Sequence, residues 1–448
     1  MAPTLIASGR AARSRGLSLI ELMIAIAIGM VVVAALLALY LNVTRTNNEM
    51  AKMNRQIENG RFAMQVLQDD VVLAGFWGSF VPQFDDLTGV AAPLDVPTAL
   101  PDPCLTYNAA NWNDAYLANL IGIPVQGSAG TCTLTSQKPN TDVLVVRHAM
   151  NCVAGVGNCE SDVAGKLYFQ SSQCENELST LAQGGTATTI TLDAGSSSTT
   201  DFYKNAIIRI VSGPGAGQSR MITAYNGGSK TATVNPAWAT IPDNSSKYAF
   251  GLGYVLNTGG FIFHKRDCTT AADKLKFVSN VYYIRDYAVT PGDGIPTLMQ
   301  SAFDSAGGNL AQQPAQALIE GIEGFRVMYG IDSFGKTGAP ENYLAAVAWA
   351  DPTNKVTPTN RGDGIAEGSY VDATNVTCNS ATDCKAANVV AVRIYVLARS
   401  QETTPGYTDT KTYQLGDVTK GPFNDGYKRH VFSTTVRLVN PAGRRDTP

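Results

Sequence analysis

Histidine is scarce in this chain: only His148, His264 and His430 occur in 448 residues, and no Cys-x-x-Cys pair is present. Both shortages argue against the usual zinc frameworks. His148 lies four residues before Cys152, but it ends the strand-like run DVLVVRH (Asp142–His148), and no metal is expected there. His264 and His430 sit in strand-like runs and read as structural. No Ser/His/Asp or Cys/His arrangement can be assembled, and no carboxylate pair stands above background. The glycine-rich GPGAGQ (Gly213–Gln218) lacks the Lys-Ser or Lys-Thr and the following helix that a phosphate loop needs, so it reads as a β-turn. Asp332-Ser333-Phe334-Gly335 has one acid where a calcium loop needs several. Arg361-Gly362-Asp363 reads as a solvated turn. No enzyme and no cofactor are expected. Charge is also scarce: Asp, Glu, Lys and Arg make up 16% of the chain, the net charge is −3, and no basic block follows residue 15. Direct nucleic-acid binding therefore has no electrostatic footprint.

What is present begins at the N-terminus. Arg10, Arg13, Arg15 and Gly16 precede LSLIELMIAIAIGMVVVAALLALYL, in which Leu22–Leu41 is 20 residues without a charge. That run is long enough to cross a bilayer as a helix, and the arginines assign its N-terminal end to the cytoplasm. It is too long for a secretory signal core, and its glycine precedes the apolar run instead of following it. Glu21, near the start of a spanning helix, is costly and hence a functional candidate. Beyond it, Met53, Ile57, Gly60, Met64, Leu67, Val71 and Ala74 recur at steps of three and four, one helical stripe. The helix is expected to run on to about Gly75, on the order of 85 to 90 Å at 1.5 Å per residue.

The composition past residue 80, with 42 Gly and 21 Pro in the chain, suggests a β-rich, loop-rich body. Strands are expected at Asp142–His148, Val281–Ile284, Gly324–Tyr329, Val389–Ala398 and His430–Leu438. Val389–Ala398 is ten residues with Arg393 inside, so it is a core strand and not a second span. In it Val390, Val392, Ile394 and Val396 share one face, expected to meet the Ile57–Leu67 stripe. Segments Pro82–Pro103 and Pro340–Tyr370 read as loops. Residues 188–250 carry five strand-sized runs between turns and read as a separate small barrel or sandwich. All eight cysteines (Cys104, Cys132, Cys152, Cys159, Cys174, Cys268, Cys378, Cys384) lie on the non-cytoplasmic side of the span. In that oxidising place they read as disulfides. Sequence alone allows 105 pairings; pairing of neighbours in sequence is favoured.

Two resemblances follow from these residues. Basic leader, Gly16, apolar helix and Glu21 together resemble the signal of type IV prepilins, with Leu17 where the family usually has Phe. NGRFAMQVLQDDVVLAGFWG (Asn59–Gly78), IEGIEGFRVMYGID (Ile319–Asp332), VVAVRIYVLARS (Val389–Ser400) and DGYKRHVFSTTVRLVN (Asp425–Asn440) resemble PilW-type minor pilins, in the family's order. Separately, GPGAGQSRMITAY and TATVNPAWATIPD resemble a small β-module of phage tail and virion proteins, which implies an inserted binding or spacer module. Cys378 and Cys384 precede a strand and do not close a loop at the chain's end, unlike the cysteines of many major pilins.

The pilin resemblance implies an α+β fold in which a long N-terminal transmembrane helix packs on an antiparallel β-sheet. The organisation expected is a cytoplasmic leader (1–16), the helix segment (17–78, with 17–41 in the membrane), a β-rich body with cysteine loops (79–187), the inserted all-β module (188–250) and the C-terminal sheet (251–448). It implies cleavage between Gly16 and Leu17 by a prepilin peptidase, methylation of the new amine, and Glu21 in subunit assembly. The partners implied are other minor pilins, the major pilin, that peptidase and the inner membrane. The place implied is a single pass in the bacterial inner membrane with a periplasmic C-terminal domain, then the pilus. A minor pseudopilin of type II secretion shares the signal, and a pilus-tip adhesin using the 188–250 module is the rival from another class.

Overall fold

The computed structural model describes residues 18–88, 92–108, 110–174, 179–204, 206–250, 253–306 and 308–446. Gly16 and Leu17 lie outside the described residues. Helix α1 spans Leu19–Leu73. The chain divides into two units, residues 1–55 and 56–448. In the first, every residue from Ser18 to Val43 is exposed, the condition of a helix whose solvent is lipid or other helices. The second holds the cores.

The fold is α+β, and two sheets take most of the body. In one, three antiparallel strands run in the order Ile322–Ile331, Val389–Arg399, Arg429–Arg437. The other has eight strands and is built round Leu275–Arg285, which pairs with Leu144–Val153 on one side and Thr297–Ala306 on the other. Tyr254–Asn257 joins it through Tyr168–Ser171. Strand alternation turns Val392, Ile394 and Val396 into the main core. There they join Ala63, Met64, Leu67 and Val71 of α1 and Leu144, Val146 and Ile284 of the larger sheet. Each large aliphatic side chain sealed there contributes about 1.5 to 3 kcal/mol.

The α1 face that enters this core differs from the expected stripe. Gln56, Gly60, Ala63, Met64, Leu67 and Val71 are buried, whereas Met53 and Ile57 are 45% and 38% exposed. The Val face of Val389–Arg399 therefore meets Gly60 to Val71, not Ile57. Gln56 is turned inward because its amide donates to the carbonyls of Ala398 (2.7 Å) and Lys428 (3.1 Å). At Gly60 the helix comes so close to the sheet that the Phe432 ring occupies the space of a side chain. The helix ends at Gly75, whose φ of +72° is a left-handed stop.

Residues 180–250 form a seven-stranded antiparallel sheet with its own core of Ile190, Ile208, Ile210, Ile222, Tyr225, Val234 and Tyr248. It begins earlier than residue 188 and has two more strands than the five expected. The extra ones, Thr180–Leu181 and Gly184–Thr186, are polar edge strands held by backbone pairing to Lys247–Phe250 and Thr189–Thr191, so no apolar alternation marks them. Disulfides join Cys104–Cys132, Cys152–Cys159, Cys174–Cys268 and Cys378–Cys384. The third closes the base of this sheet, since its cysteines flank residues 180–250.

Candidate functional site

At the start of α1, Ser18 and Glu21 satisfy each other's backbone. The Ser18 N–H donates to Glu21 Oε2 (2.9 Å), and the Glu21 N–H donates to Ser18 Oγ (3.2 Å). This is a capping box, Ser-x-x-Glu, which satisfies two of the helix's unpaired N-terminal donors. The carboxylate singled out from sequence for its cost in a membrane thus has a local task as well. After it come Leu22 to Leu41, all exposed. Among the described residues of the first unit, this acid opens the apolar run, and Arg45, Glu49, Lys52 and Arg55 follow it.

Within the second unit, polar side chains fix the buried end of α1. Asp70 Oδ1 lies 2.9 Å from His148 Nε2, while its Oδ2 accepts from Asn280 Nδ2 (3.0 Å) and the Tyr282 hydroxyl (2.9 Å). His148 Nδ1 lies 2.8 Å from the Ala149 carbonyl. A carbonyl only accepts, so Nδ1 carries a proton. Burial, with Asp70 beside it, raises the Tyr282 phenol far above its ordinary value and keeps it a donor. His148 is 2% exposed, and Cys152 is committed to its disulfide. Through Asp70, His148 anchors α1 to the larger sheet.

The other end of the chain caps α1. Asn440 Nδ2 donates to the Ala74 carbonyl (3.1 Å), with those of Val72 and Leu73 near by, and Arg444 Nη2 donates to the Gly75 carbonyl (2.9 Å). These carbonyls are the unpaired acceptors of a helix C-terminus, where a cation is also favoured. Both residues belong to helix α3, Val439–Arg445, counting Asp114–Gly122 as α2. Next to them Arg445 is buried and holds Asp85 (2.8 Å) and Asp332 (3.3 Å). Arg429, likewise buried, holds Asp409 (2.9 Å), Asp425 (2.7 Å) and Glu323 (2.5 Å). Sequence reading missed these ties; the only available signal was the cluster of arginines in the last twenty residues.

The remaining sequence candidates separate. Arg361 is 1% exposed and donates to the carbonyls of Asn342 (2.7 Å) and Ala345 (2.8 Å). The Arg361-Gly362-Asp363 tripeptide is thus a buried brace, not a solvated turn. Asp332, Asp363 and Glu367 converge, each with an oxygen within 4.8 Å of the others'. Asp332 is already engaged by Arg445 and by the Gly364 N–H (2.8 Å). Burial raises its carboxyl and that of Glu367. His264 bridges Ala271 and stacks on Phe202 with ring centroids 5.6 Å apart, whereas His430 lies in Arg429–Arg437 and faces Phe432 edge to face.

Comparison with known proteins bears on both ends of the chain. A family model described as type IV pilus-assembly protein W matches residues 281–440. A second, the prokaryotic N-terminal methylation motif, matches residues 11–37. Among solved structures, a type IV-like pilin from Thermus thermophilus is 19% identical, over 37% of this chain and 68% of that one, with a TM-score of 0.18. No curated protein matches. The first model spans the whole three-stranded sheet and Asn440, the residue that caps α1.

Proposed function

We propose that this chain, a protein of the PilW-type minor-pilin kind by its methylation motif and its C-terminal sheet, takes part in type IV pilus assembly at the initiation or tip complex. The observation that carries the reading is the run of exposed apolar helix, Leu22 to Leu41, on the N-terminal side of a polar-anchored α1 terminus. Such a surface is stable in a bilayer or against other apolar helices, and moving between the two is what fibre assembly requires. In this reading a prepilin peptidase cuts between Gly16 and Leu17, and the chain stands as a single pass in the inner membrane with its body in the periplasm. The new amine is methylated. Glu21 pairs with the amine of an adjacent subunit and sets their axial register. Twitching motility and adhesion follow from the fibre.

The capping box sharpens the test. Glu21→Gln keeps both halves of the capping box but not the charge, and Glu21→Ala removes the charge and the acceptor for the Ser18 N–H while the Ser18 Oγ bond to the residue-21 N–H remains. In a deletion strain with reduced surface piliation, the native gene restores pili. Glu21→Gln and Glu21→Ala should both insert and be cleaved, yet both lose co-purification with partner pilins. If Glu21→Gln restores full piliation and only Glu21→Ala fails, the cap and not the pairing is what assembly needs. Normal piliation in the deletion strain itself would overturn the reading. N-terminal sequencing that begins anywhere but Leu17 would remove the processing step. Neighbouring secretion genes in place of pilus genes would redirect the same chemistry to a type II pseudopilin.

A further inference from the structure

The two edges of the three-stranded sheet are finished differently. The outer edge of Ile322–Ile331 is closed by the rest of the chain. The Phe325 carbonyl accepts from the Asp142 N–H (3.0 Å), and the Val327 N–H donates to the Asp142 carboxylate (2.8 Å). Tyr329 exchanges two backbone bonds with Val371 (2.7 and 2.9 Å), and the Ile331 carbonyl accepts from the Glu367 N–H (2.9 Å). The opposite edge, Arg429–Arg437, is left open. The Ser400 N–H donates to the Lys428 carbonyl (2.9 Å), and the Leu438 N–H donates to the Val390 carbonyl (2.8 Å). These two bonds fix the phase of the ladder. Even-numbered residues turn their backbone groups to Val389–Arg399, and Val431, Ser433, Thr435 and Arg437 turn theirs outward. The N–H and C=O groups of these four have no partner among the described residues.

An open edge is normally blunted by proline, lysine, a bulge or shortness. This strand is nine residues long, pairs in unbroken register and carries no charge from Val431 to Val436. Helix α1 adds a ledge beside it. The helix runs along the strand, with Gln56 bonded to the Lys428 carbonyl, Gly60 against Phe432 and its end capped by Asn440. One flank of the helix faces the body. There Asn59 donates to the Glu320 carbonyl (3.0 Å), next to the closed edge, and Asp70 binds the larger sheet. At 3.6 residues per turn, Ile57, Arg61 and Gln68 stand on the opposite flank, on the side of the open edge. Arg61 and Gln68 are exposed, and Ile57 is 38% exposed. Arg61 has no ion-pair partner among the described residues.

We infer that this edge is a docking site for an extended strand of another protein chain, added antiparallel to Arg429–Arg437. Its outward N–H and C=O groups repeat about every 7 Å, a pattern that the backbone of another strand matches and a helix does not. On the helix side, the added strand meets Phe432 and Ile57, which favour apolar residues, and Arg61, which favours an acid. A second copy of Arg429–Arg437 matches the backbone pattern, but it brings Arg429, His430 and Arg437 and no acid. The occupant is therefore a strand of a different chain, with alternating apolar residues and an acid in the same row. The inference does not rest on the pilus-assembly reading, which concerns Glu21 and the apolar helix, and its test involves no fibre.

The test is fluorescence anisotropy with the full chain in detergent and a fluorescein-labelled peptide, Thr-Val-Thr-Glu-Thr-Val-Thr. In antiparallel pairing with its Val and Glu side chains toward α1, the threonine backbone groups face the protein, and the valine and glutamate N–H groups face away. N-methylation of the valines and the glutamate should leave binding within about twofold, whereas N-methylation of the two inner threonines should weaken it at least about tenfold. Ser433→Pro removes an outward donor and no ladder bond, a place where an edge strand tolerates proline, and should weaken the unmethylated peptide about fivefold. Arg61→Glu should also weaken it about fivefold. Absence of saturable binding by the unmethylated peptide overturns the inference, as does equal binding of the two methylated peptides. Both results come from the native chain, so they decide the matter even where Ser433→Pro does not fold. Self-association of the chain that the peptide competes away would give the edge to a second copy and overturn the assignment to a different chain.

Discussion

Gly60→Ala tests how closely α1 approaches its sheet. In an exposed helix the change stabilises by about 1 kcal/mol, because glycine has the greater backbone freedom to lose. At this position a Cβ would collide with the Phe432 ring, whose Cζ would stand 2.7 Å from it, with two other ring carbons nearer still. Phe432 faces Val396 in register and leans on His430 with ring centroids 4.8 Å apart, so the ring has to leave its packed position or the helix has to lift. Overpacking of this kind costs about 1 to 3 kcal/mol. The clash offsets or outweighs propensity, and a net loss of up to about 2 kcal/mol is expected in place of the gain. In a Phe432→Ala background the obstruction is gone and the same substitution should stabilise by about 1 kcal/mol. The difference between the two backgrounds, a coupling of about 1 to 3 kcal/mol, is the diagnostic. It is read from urea unfolding of the full chain in detergent, followed by near-UV circular dichroism. Stabilisation by Gly60→Ala in the native background would refute the close approach.

Three further outcomes are expected. Burial pushes the Asp95 carboxyl up to about 6, even though the Gln83 and Phe84 N–H groups donate to it. A raised carboxyl favours the neutral form on folding, so its contribution is fully present below about pH 4 and is lost as pH rises through 6. The loss is about 3 kcal/mol at most, and the difference between native and Asp95→Asn stability curves should step down across that window. Arg445→Met leaves Asp85 and Asp332 buried with their main cation removed, and should cost about 3 to 5 kcal/mol in denaturant unfolding; a change under 1 kcal/mol would show that these carboxylates do not depend on it. Replacing Cys174 and Cys268 together by serine opens a loop with a sequence separation of 94 and should cost about 4.6 kcal/mol, against about 2.4 for Cys152 and Cys159 with a separation of 7. Equal losses for the two pairs, measured by urea midpoints, would argue against loop closure as the source.

The sequence by itself determined the elements whose signal is local. Leu22–Leu41 reads as a helix of membrane length by its run of uncharged residues, and Val389–Arg399 as a strand with Val392, Ile394 and Val396 on one face. The pairing of that strand with Ile322–Ile331 and Arg429–Arg437 followed once three such runs had to bury their faces together. Tertiary structure decided what depends on a distant partner. The 3.6-residue period locates a helical stripe only to within a position or so, and the carbonyls of Ala398 and Lys428 drew Gln56 inward and left Ile57 outside. Arg361 looked like a loop residue because its backbone segment is polar, yet carbonyls up to nineteen positions away made its burial possible. The cap on α1 comes from Asn440 and Arg444, more than 360 residues along the chain. The edge strands at residues 180–186 are held by backbone pairing, which leaves no mark in side-chain pattern. Periodicity records which face a residue belongs to, whereas a buried polar group records its partner, and that partner exists only after the chain has folded.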